Sequence, residues 1–240
     1  MRVLVTRPEN ASRRTATRLK SLGHETVVLP LMEAHHHAEA VREALQRPHA
    51  ALAITSAEAV RVLEILGDEL VPHLDAPVFA VGEATAAAAR AAGFRSVEAA
   101  EGTGASMVDA FSERLRTLTS RHPLLYLAGT PRSPVFEEGL AARAIPLTAV
   151  TSYTMTPLPI PEDAISAALQ TLPLQAILLY SRQTARVFFG LSLSPESLPN
   201  VRRSRILCLS ENVADEVPVS LRPNIRIARS PDEDSLFALL

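Results

Sequence analysis

Short apolar runs alternate along this chain with longer segments in which apolar residues recur at helical spacing. Runs with no polar alternation, such as Val3-Leu4-Val5, Ala51-Leu52-Ala53-Ile54 and Ala176-Ile177-Leu178-Leu179, predict strands covered on both faces. The pattern places strands at 2–5, 26–31, 51–54, 77–81, 95–99, 124–127, 147–153, 176–180, 205–209 and 225–228. Helical spacing predicts helices at 10–21, 57–66, 83–92, 104–118, 134–143, 161–171, 182–191, 211–217 and 232–240. Gly23 and Gly93 stand where helix-ending glycines belong. Strand and helix in alternation predict an α/β protein with parallel sheets. Ten strands are many for one sheet in 240 residues. Two domains are predicted, each a roughly five-stranded parallel sheet flanked by helices.

An internal repeat supports the division. Thr55-Ser56-Ala57 resembles Ser181-Arg182-Gln183, each opening a helix after an apolar run. Val81-Gly82-Glu83-Ala84 resembles Leu209-Ser210-Glu211-Asn212, and Ala105-Ser106-Met107 resembles Asp234-Ser235-Leu236. The next unit of the first copy, Tyr126-Leu127-Ala128-Gly129-Thr130-Pro131-Arg132, finds its counterpart at Leu4-Val5-Thr6-Arg7-Pro8. The second copy thus runs off the C-terminus and resumes at residue 1. One domain is therefore expected to be inserted into the other. Residues 1–34 and 157–240 form a discontinuous, flavodoxin-like domain in this reading, and 38–150 the inserted one. A two-stranded linker at 33–37 and 152–159 joins them, with hinge motion about a cleft.

Composition narrows the chemistry. The net charge is −2. The discontinuous domain carries 14 basic and 12 acidic residues, and the rest 10 basic and 14 acidic. Neither is a general nucleic-acid surface, which needs a cationic excess. The single cysteine, Cys208, rules out an internal disulfide and a multi-cysteine metal site. It lies inside a predicted strand, as a small hydrophobe would. The only lysine, Lys20, falls late in a surface helix, which argues against Schiff-base and pyridoxal-phosphate chemistry. No apolar window reads as a membrane span or signal peptide, so a cytoplasmic protein is expected.

Standard catalytic signatures are missing. There is no phosphate-binding G-x-x-x-x-G-K-[ST] and no G-x-S-x-G nucleophile elbow. Gly102-Thr103-Gly104 begins like a dinucleotide fingerprint, but Met107 takes the place of the third glycine. His35-His36-His37 reads as a solvated linker tract, and no H-x-x-x-H spacing exists, so no metal is expected. What recurs is a hydroxyl residue or glycine where a strand meets a helix, at Thr6, Thr55-Ser56, Gly82, Gly129, Ser181 and Ser210. In parallel sheets these turns line up at the carboxyl edge, where ligands bind. Helix-start amides and hydroxyls there suit carboxylates or phosphates; taken singly, each turn is equally a helix cap. Tyr153 lies where the chain leaves the inserted domain, at the expected cleft.

Taken in order, these turns resemble the uroporphyrinogen-III synthase family over nearly the whole chain. The resemblance rests on Val3-Leu4-Val5-Thr6-Arg7-Pro8, Ile54-Thr55-Ser56-Ala57-Glu58-Ala59-Val60, Ala80-Val81-Gly82-Glu83-Ala84-Thr85-Ala86 and Leu125-Tyr126-Leu127-Ala128-Gly129 with Arg132. It continues through Val150-Thr151-Ser152-Tyr153, Leu179-Tyr180-Ser181 and Ala228-Arg229-Ser230-Pro231. Ser210-Glu211-Asn212-Val213 departs from the glycine and threonines usual in the family. The resemblance implies a two-domain fold and cyclisation of the linear tetrapyrrole hydroxymethylbilane to uroporphyrinogen III, with loss of water and inversion of ring D. It implies no metal or organic cofactor, a monomer, and transient handover of substrate from hydroxymethylbilane synthase. On this reading Tyr153 is the catalytic residue. Arg7, Thr55, Ser56, Ala57, Gly82, Thr85, Gly129, Arg132, Ser181, Arg182 and Ser210 bind the substrate. Two rivals stand beside it. One is a non-catalytic tetrapyrrole-binding regulatory module, expected to need an output domain. The other is a two-domain small-ligand receptor of the periplasmic type, expected to carry a signal peptide.

Overall fold

The computed structural model describes residues 1–170 and 173–240; the last residue of the helix expected at 161–171 lies outside them. The chain divides into two compact units, Met1–Glu33 with Thr156–Leu240, and Ala34–Met155. In chain order the elements begin β1 (Arg2–Val5), α1 (Glu9–Ser21), β2 (Glu25–Val28), β3 (Met32–His36) and α2 (Ala38–Leu45). They continue β4 (Ala51–Ile54), α3 (Ala57–Ile65), β5 (Val78–Ala80), α4 (Glu83–Ala91), β6 (Val97–Ala99), α5 (Gly104–Leu115), β7 (Leu124–Thr130), α6 (Val135–Ala141) and β8 (Leu147–Pro157). The rest are α7 (Glu162–Gln170), β9 (Ala176–Leu179), α8 (Arg182–Phe189), α9 (Leu198–Arg203), β10 (Arg205–Cys208), α10 (Glu211–Ala214), β11 (Ile225–Ile227) and α11 (Glu233–Phe237).

The discontinuous unit holds a five-stranded parallel sheet, ordered β11-β10-β9-β1-β2. The other sheet has six strands, ordered β3-β8-β7-β4-β5-β6. Its five strands from β4 to β8 are parallel. Laid side by side, β9, β10, β11, β1 and β2 occupy the places of β4, β5, β6, β7 and β8. The two sheets share one spatial plan threaded from different starting points, as the wrapped repeat in the sequence requires. Each has a point where strand order reverses, between β1 and β9 in one and between β4 and β7 in the other.

Beyond the roughly five strands expected of each sheet, a sixth joins this one. Met32–His36, overlapping the first half of the two-stranded linker expected at 33–37 and 152–159, pairs with β8. His37 N–H donates to Ser152 C=O at 2.8 Å and Leu158 N–H to Leu31 C=O at 2.9 Å, an antiparallel register. The solvated histidine tract is therefore a strand edge. His36 Nε2 lies 2.7 Å from Glu58 Oε1, and His37 Nε2 lies 2.8 Å from Thr154 Oγ1. Helices α2 and α9 were also not expected.

Alternation on the central strands explains why the sheet is covered twice. Leu52 and Ile54 of β4, with Leu125 and Leu127 of β7, join one apolar cluster with α3. Ala51, Ala53, Leu124, Tyr126 and Ala128 join another with Met107 and Phe111 of α5. In the discontinuous unit Val3, Val5, Ala176 and Leu178 pack with Leu19, Leu236 and Phe237. Gly23 and Gly93 close α1 and α4 with φ of +80° and +103°, where a side chain would be strained.

Candidate functional site

In the Ala34–Met155 unit the strand ends at the order reversal build a hollow of about 260 Å³. Thr55, Tyr126, Gly129, Arg132 and Tyr153 line it, with Val81, Phe136 and Val135 supplying apolar wall. Mixed apolar and polar lining at a topological switch point is the arrangement expected of a ligand site in an open α/β sheet.

Each group is placed by local structure. Ser56 is the extended N-cap of α3, and its Oγ accepts from Glu58 N–H at 3.1 Å. Ser56→Ala is expected to cost only about 1 kcal/mol, the usual value of a cap, and to leave turnover largely intact; loss of all activity in a folded Ser56→Ala would assign direct chemistry to the hydroxyl. Thr55 Oγ1 meets the Tyr126 hydroxyl at 2.9 Å. Burial pushes the Tyr126 phenol up, against the opposing effect of that Thr55 bond.

Tyr153 owes its aim to a bulge. The β7–β8 pairing runs Ala128 to Thr151, then Gly129 to Tyr153, so Ser152 is the extra residue. Ser152 is buried, and its hydroxyl donates to Ala128 C=O at 2.9 Å. Bulges redirect the side chains that follow them. Here the Tyr153 ring comes to lie against Gly129, where a Cβ would stand 2.4 Å from both Cζ and the hydroxyl oxygen. Gly129→Ala is thus expected to displace the ring and to destabilise by about 1–3 kcal/mol through overpacking, read by urea unfolding; an unchanged midpoint would mean the ring swings aside freely. Burial raises the Tyr153 phenol above its ordinary pKa; Ser56 opposes this, and the Glu58 charge and Tyr126 add to it. The phenol is therefore a proton donor at neutral pH.

Gly82 precedes α4 in extended backbone, with room for no more than a close approach to Gly102, whose Cα would lie 3.2 Å from an added Cβ. Thr85 is buried, 6% exposed, in the first turn of α4. Ala57 begins α3 behind the Ser56 cap and contributes backbone only.

The remaining candidates stand at the carboxyl edge of the other unit's sheet. Ser181 caps α8, accepting from Thr184 N–H at 3.1 Å. Ser210 precedes α10 without a side-chain cap bond. Arg182 and Arg186 both grip Glu216, at 2.6 and 2.7 Å, and their hydrogen bonds hold its carboxyl down to about 2. Arg7 is likewise engaged by side chains of its own unit. Its guanidinium lies 4.2 Å over the Tyr180 ring and pairs with Glu233 at 3.0 Å. Glu233 also accepts from Tyr180 at 2.8 Å, Thr15 at 2.6 Å and Arg18 at 2.6 Å.

Tyr126, Phe136, Glu58 and Glu137 were missed in the sequence. Tyr126 sits in a run apolar on both faces, where nothing marks one hydroxyl as edge-facing. Glu58 is visible only as a first-turn acid. Among the described residues no group of His, Cys, Asp and Glu is arranged to hold a metal ion, and no helix is long and apolar enough to cross a membrane.

Comparison with solved structures finds the same fold in two bacterial enzymes. The uroporphyrinogen-III synthetase of Helicobacter pylori aligns with a TM-score of 0.65 at 17% identity, covering 90% of this chain and 91% of that one. A mutant uroporphyrinogen III synthase from Thermus thermophilus aligns with a TM-score of 0.57 at 18% identity, covering 100% of this chain and 97% of the other. No curated protein matches by sequence. The family model described as uroporphyrinogen-III synthase HemD matches residues 13–238, nearly the whole chain, and with the two sheets and their shared plan it assigns this protein to the uroporphyrinogen-III synthase HemD family.

Proposed function

We propose that this protein is a uroporphyrinogen-III synthase, a hydro-lyase that cyclises hydroxymethylbilane to uroporphyrinogen III with inversion of ring D. The observation that carries this reading is Tyr153, a protonated phenol laid against Gly129 at the wall of a part-apolar hollow, in a chain of this family. The substrate's hydroxyl leaves a pyrrolic carbinol, pushed by the pyrrole nitrogen. Hydroxide is a poor leaving group unless its oxygen gains a hydrogen bond or a proton. The Tyr153 hydroxyl donates that bond, and an azafulvenium-like cation remains. The substituted carbon of ring D attacks it to form a spiro intermediate, which fragments to a second azafulvenium-like cation and closes through the free α-carbon of ring D; loss of that carbon's proton completes the loss of water.

The chain supplies position more than reactive groups. Holding the two ends of one molecule together can lower a barrier by about 7–11 kcal/mol. The substrate's eight carboxylates call for dispersed anion partners. Helix-start amides after Ser56, Gly82, Ser181 and Ser210, with Arg132 and Arg182, provide them at the two sheet edges. Arg7 would join them by giving up Glu233, as Arg132 would give up Glu137 and Arg182 Glu216. We further propose that residues 1–34 with 157–240, and 38–150, act as separate domains. The enzyme works as a cytoplasmic monomer that takes its substrate from hydroxymethylbilane synthase. The decisive experiment incubates the protein with freshly made hydroxymethylbilane and separates the isomers. Mainly uroporphyrinogen III is expected. Only the uninverted isomer, at the rate of spontaneous closure, would reject the enzyme in favour of a tetrapyrrole-binding module.

A further inference from the structure

Arg132 reaches the rim of the hollow from the turn after β7. Its Nε and Nη2 meet the two carboxylate oxygens of Glu137 at 2.6 and 3.4 Å. This is the fork that a ligand carboxylate would also use. The guanidinium carbon lies 5.9 Å from the centre of the Tyr126 ring, and Thr130 Oγ1 lies 3.5 Å from Nη1. The cation thus lies beside the wall of the hollow, near Tyr126 and Thr130, with Glu137 its close partner.

The cost of releasing such a pair differs sharply across the molecule. The Arg132 and Glu137 side chains are 29% and 32% exposed, so water can take over from either partner and the pair is weak. Glu233 is only 18% exposed and holds Arg7 together with Thr15, Tyr180 and Arg18. Freeing Arg7 would strand a mostly buried carboxylate with its donors. Of these two arginine–glutamate pairs, only that of Arg132 opens cheaply.

We propose that Glu137 is an exchange partner for Arg132: it holds the guanidinium fork at the hollow while no ligand is bound, and yields it to a carboxylate of the ligand. That the ligand is a polycarboxylate rests on the function proposed above. The exchange leaves the charge on the fork unchanged, but the displaced Glu137 remains nearby and repels the incoming anion. Glu137 thus limits affinity and speeds release.

The test is a double-mutant cycle of parent, Glu137→Gln, Arg132→Gln and the double variant. Binding is read with uroporphyrin, a stable octacarboxylate macrocycle, by the anisotropy of its own fluorescence. Turnover is read with hydroxymethylbilane. Glu137→Gln is expected to tighten uroporphyrin and to lower KM by about three- to tenfold, the scale of one partly exposed ion pair, with kcat unchanged or lower. Arg132→Gln should weaken both, and in its background Glu137→Gln should shift them less than about twofold, because the exchange needs the fork. Weaker binding in Glu137→Gln overturns the proposal, and so does an equal gain without Arg132, which is bulk charge alone. Failure of all four proteins to bind uroporphyrin overturns it as well. A parent protein with no turnover but a coupled binding shift rejects the proposed function and leaves the exchange standing. Normal turnover with no coupled shift rejects the exchange alone.

Discussion

Tyr153→Phe is expected to unfold with the parent protein yet to form uroporphyrinogen III at least about tenfold more slowly, within the range of lost general-acid assistance. Phenylalanine keeps the ring against Gly129 and its packing on the cluster beside β4 and β7. Only the hydroxyl goes. Ser56 keeps its bond to the Glu58 N–H, so the helix start is undisturbed. The slow variant should still make mainly the inverted isomer, because the folded shape of the bound chain selects it. Since burial raises the phenol above its ordinary value, any alkaline loss of rate traceable to Tyr153 should begin only above about pH 10. A wild-type rate in Tyr153→Phe would reduce this residue to packing.

Glu233→Gln is expected to destabilise the protein by about 2–4 kcal/mol at neutral pH, somewhat less than the breaking of a fully buried ion pair. Burial pushes the Glu233 carboxyl up, but Thr15, Tyr180, Arg7 and Arg18 outweigh it and hold it below its ordinary value. A folded pKa below the unfolded one gives stability that is fully present above the unfolded value, about 4.3. That stability is lost as pH falls through the folded value. The gap between Glu233→Gln and the parent should therefore be widest at pH 6–8, should begin to narrow at about pH 4.3, and should close only as pH falls through the lower, folded value. Urea unfolding across that range measures it. A gap that stays constant with pH would mean the carboxylate's charge contributes nothing.

The architecture was legible wherever burial is two-sided. Val3-Leu4-Val5 and Ala51–Ile54 announce themselves because every position is apolar, and the wrapped repeat of Thr55-Ser56 in Ser181 anticipates one plan threaded twice. Met32–His36 was not legible from its own run of residues, because only Met32 is buried along it, and it entered only as one half of a two-stranded linker. Pairing with β8, not its own composition, makes it a strand. Tyr153 drew notice by its position in the chain, but the bulge at Ser152 that turns its ring onto Gly129 has no signature in residue spacing. Arg7 shows the converse case. A basic residue after β1 reads as an anion site, and nothing near it announces Glu233, 226 positions later, which it holds. Long-range ion pairs of this sort leave no trace in local pattern.

The insertion has a consequence for how the protein is born. Strand β1 lies between β2 and β9, and Thr6 at its end bonds to Leu178, 172 residues further along. At ribosomal speeds of roughly 5–20 residues per second, the first strand leaves the ribosome roughly 10–30 seconds before its partner exists. The inserted unit waits less than half as long, since its paired central strands β4 and β7, bridged by the Thr55–Tyr126 bond, meet across only 71 residues. It should therefore be complete while β1, α1 and β2 are still an open-edged fragment, the kind of exposed strand that invites wrong pairing. Pulse-labelled nascent chains should show protease resistance first in fragments from residues 34–155. The N-terminal segment should be the stretch that chaperones hold.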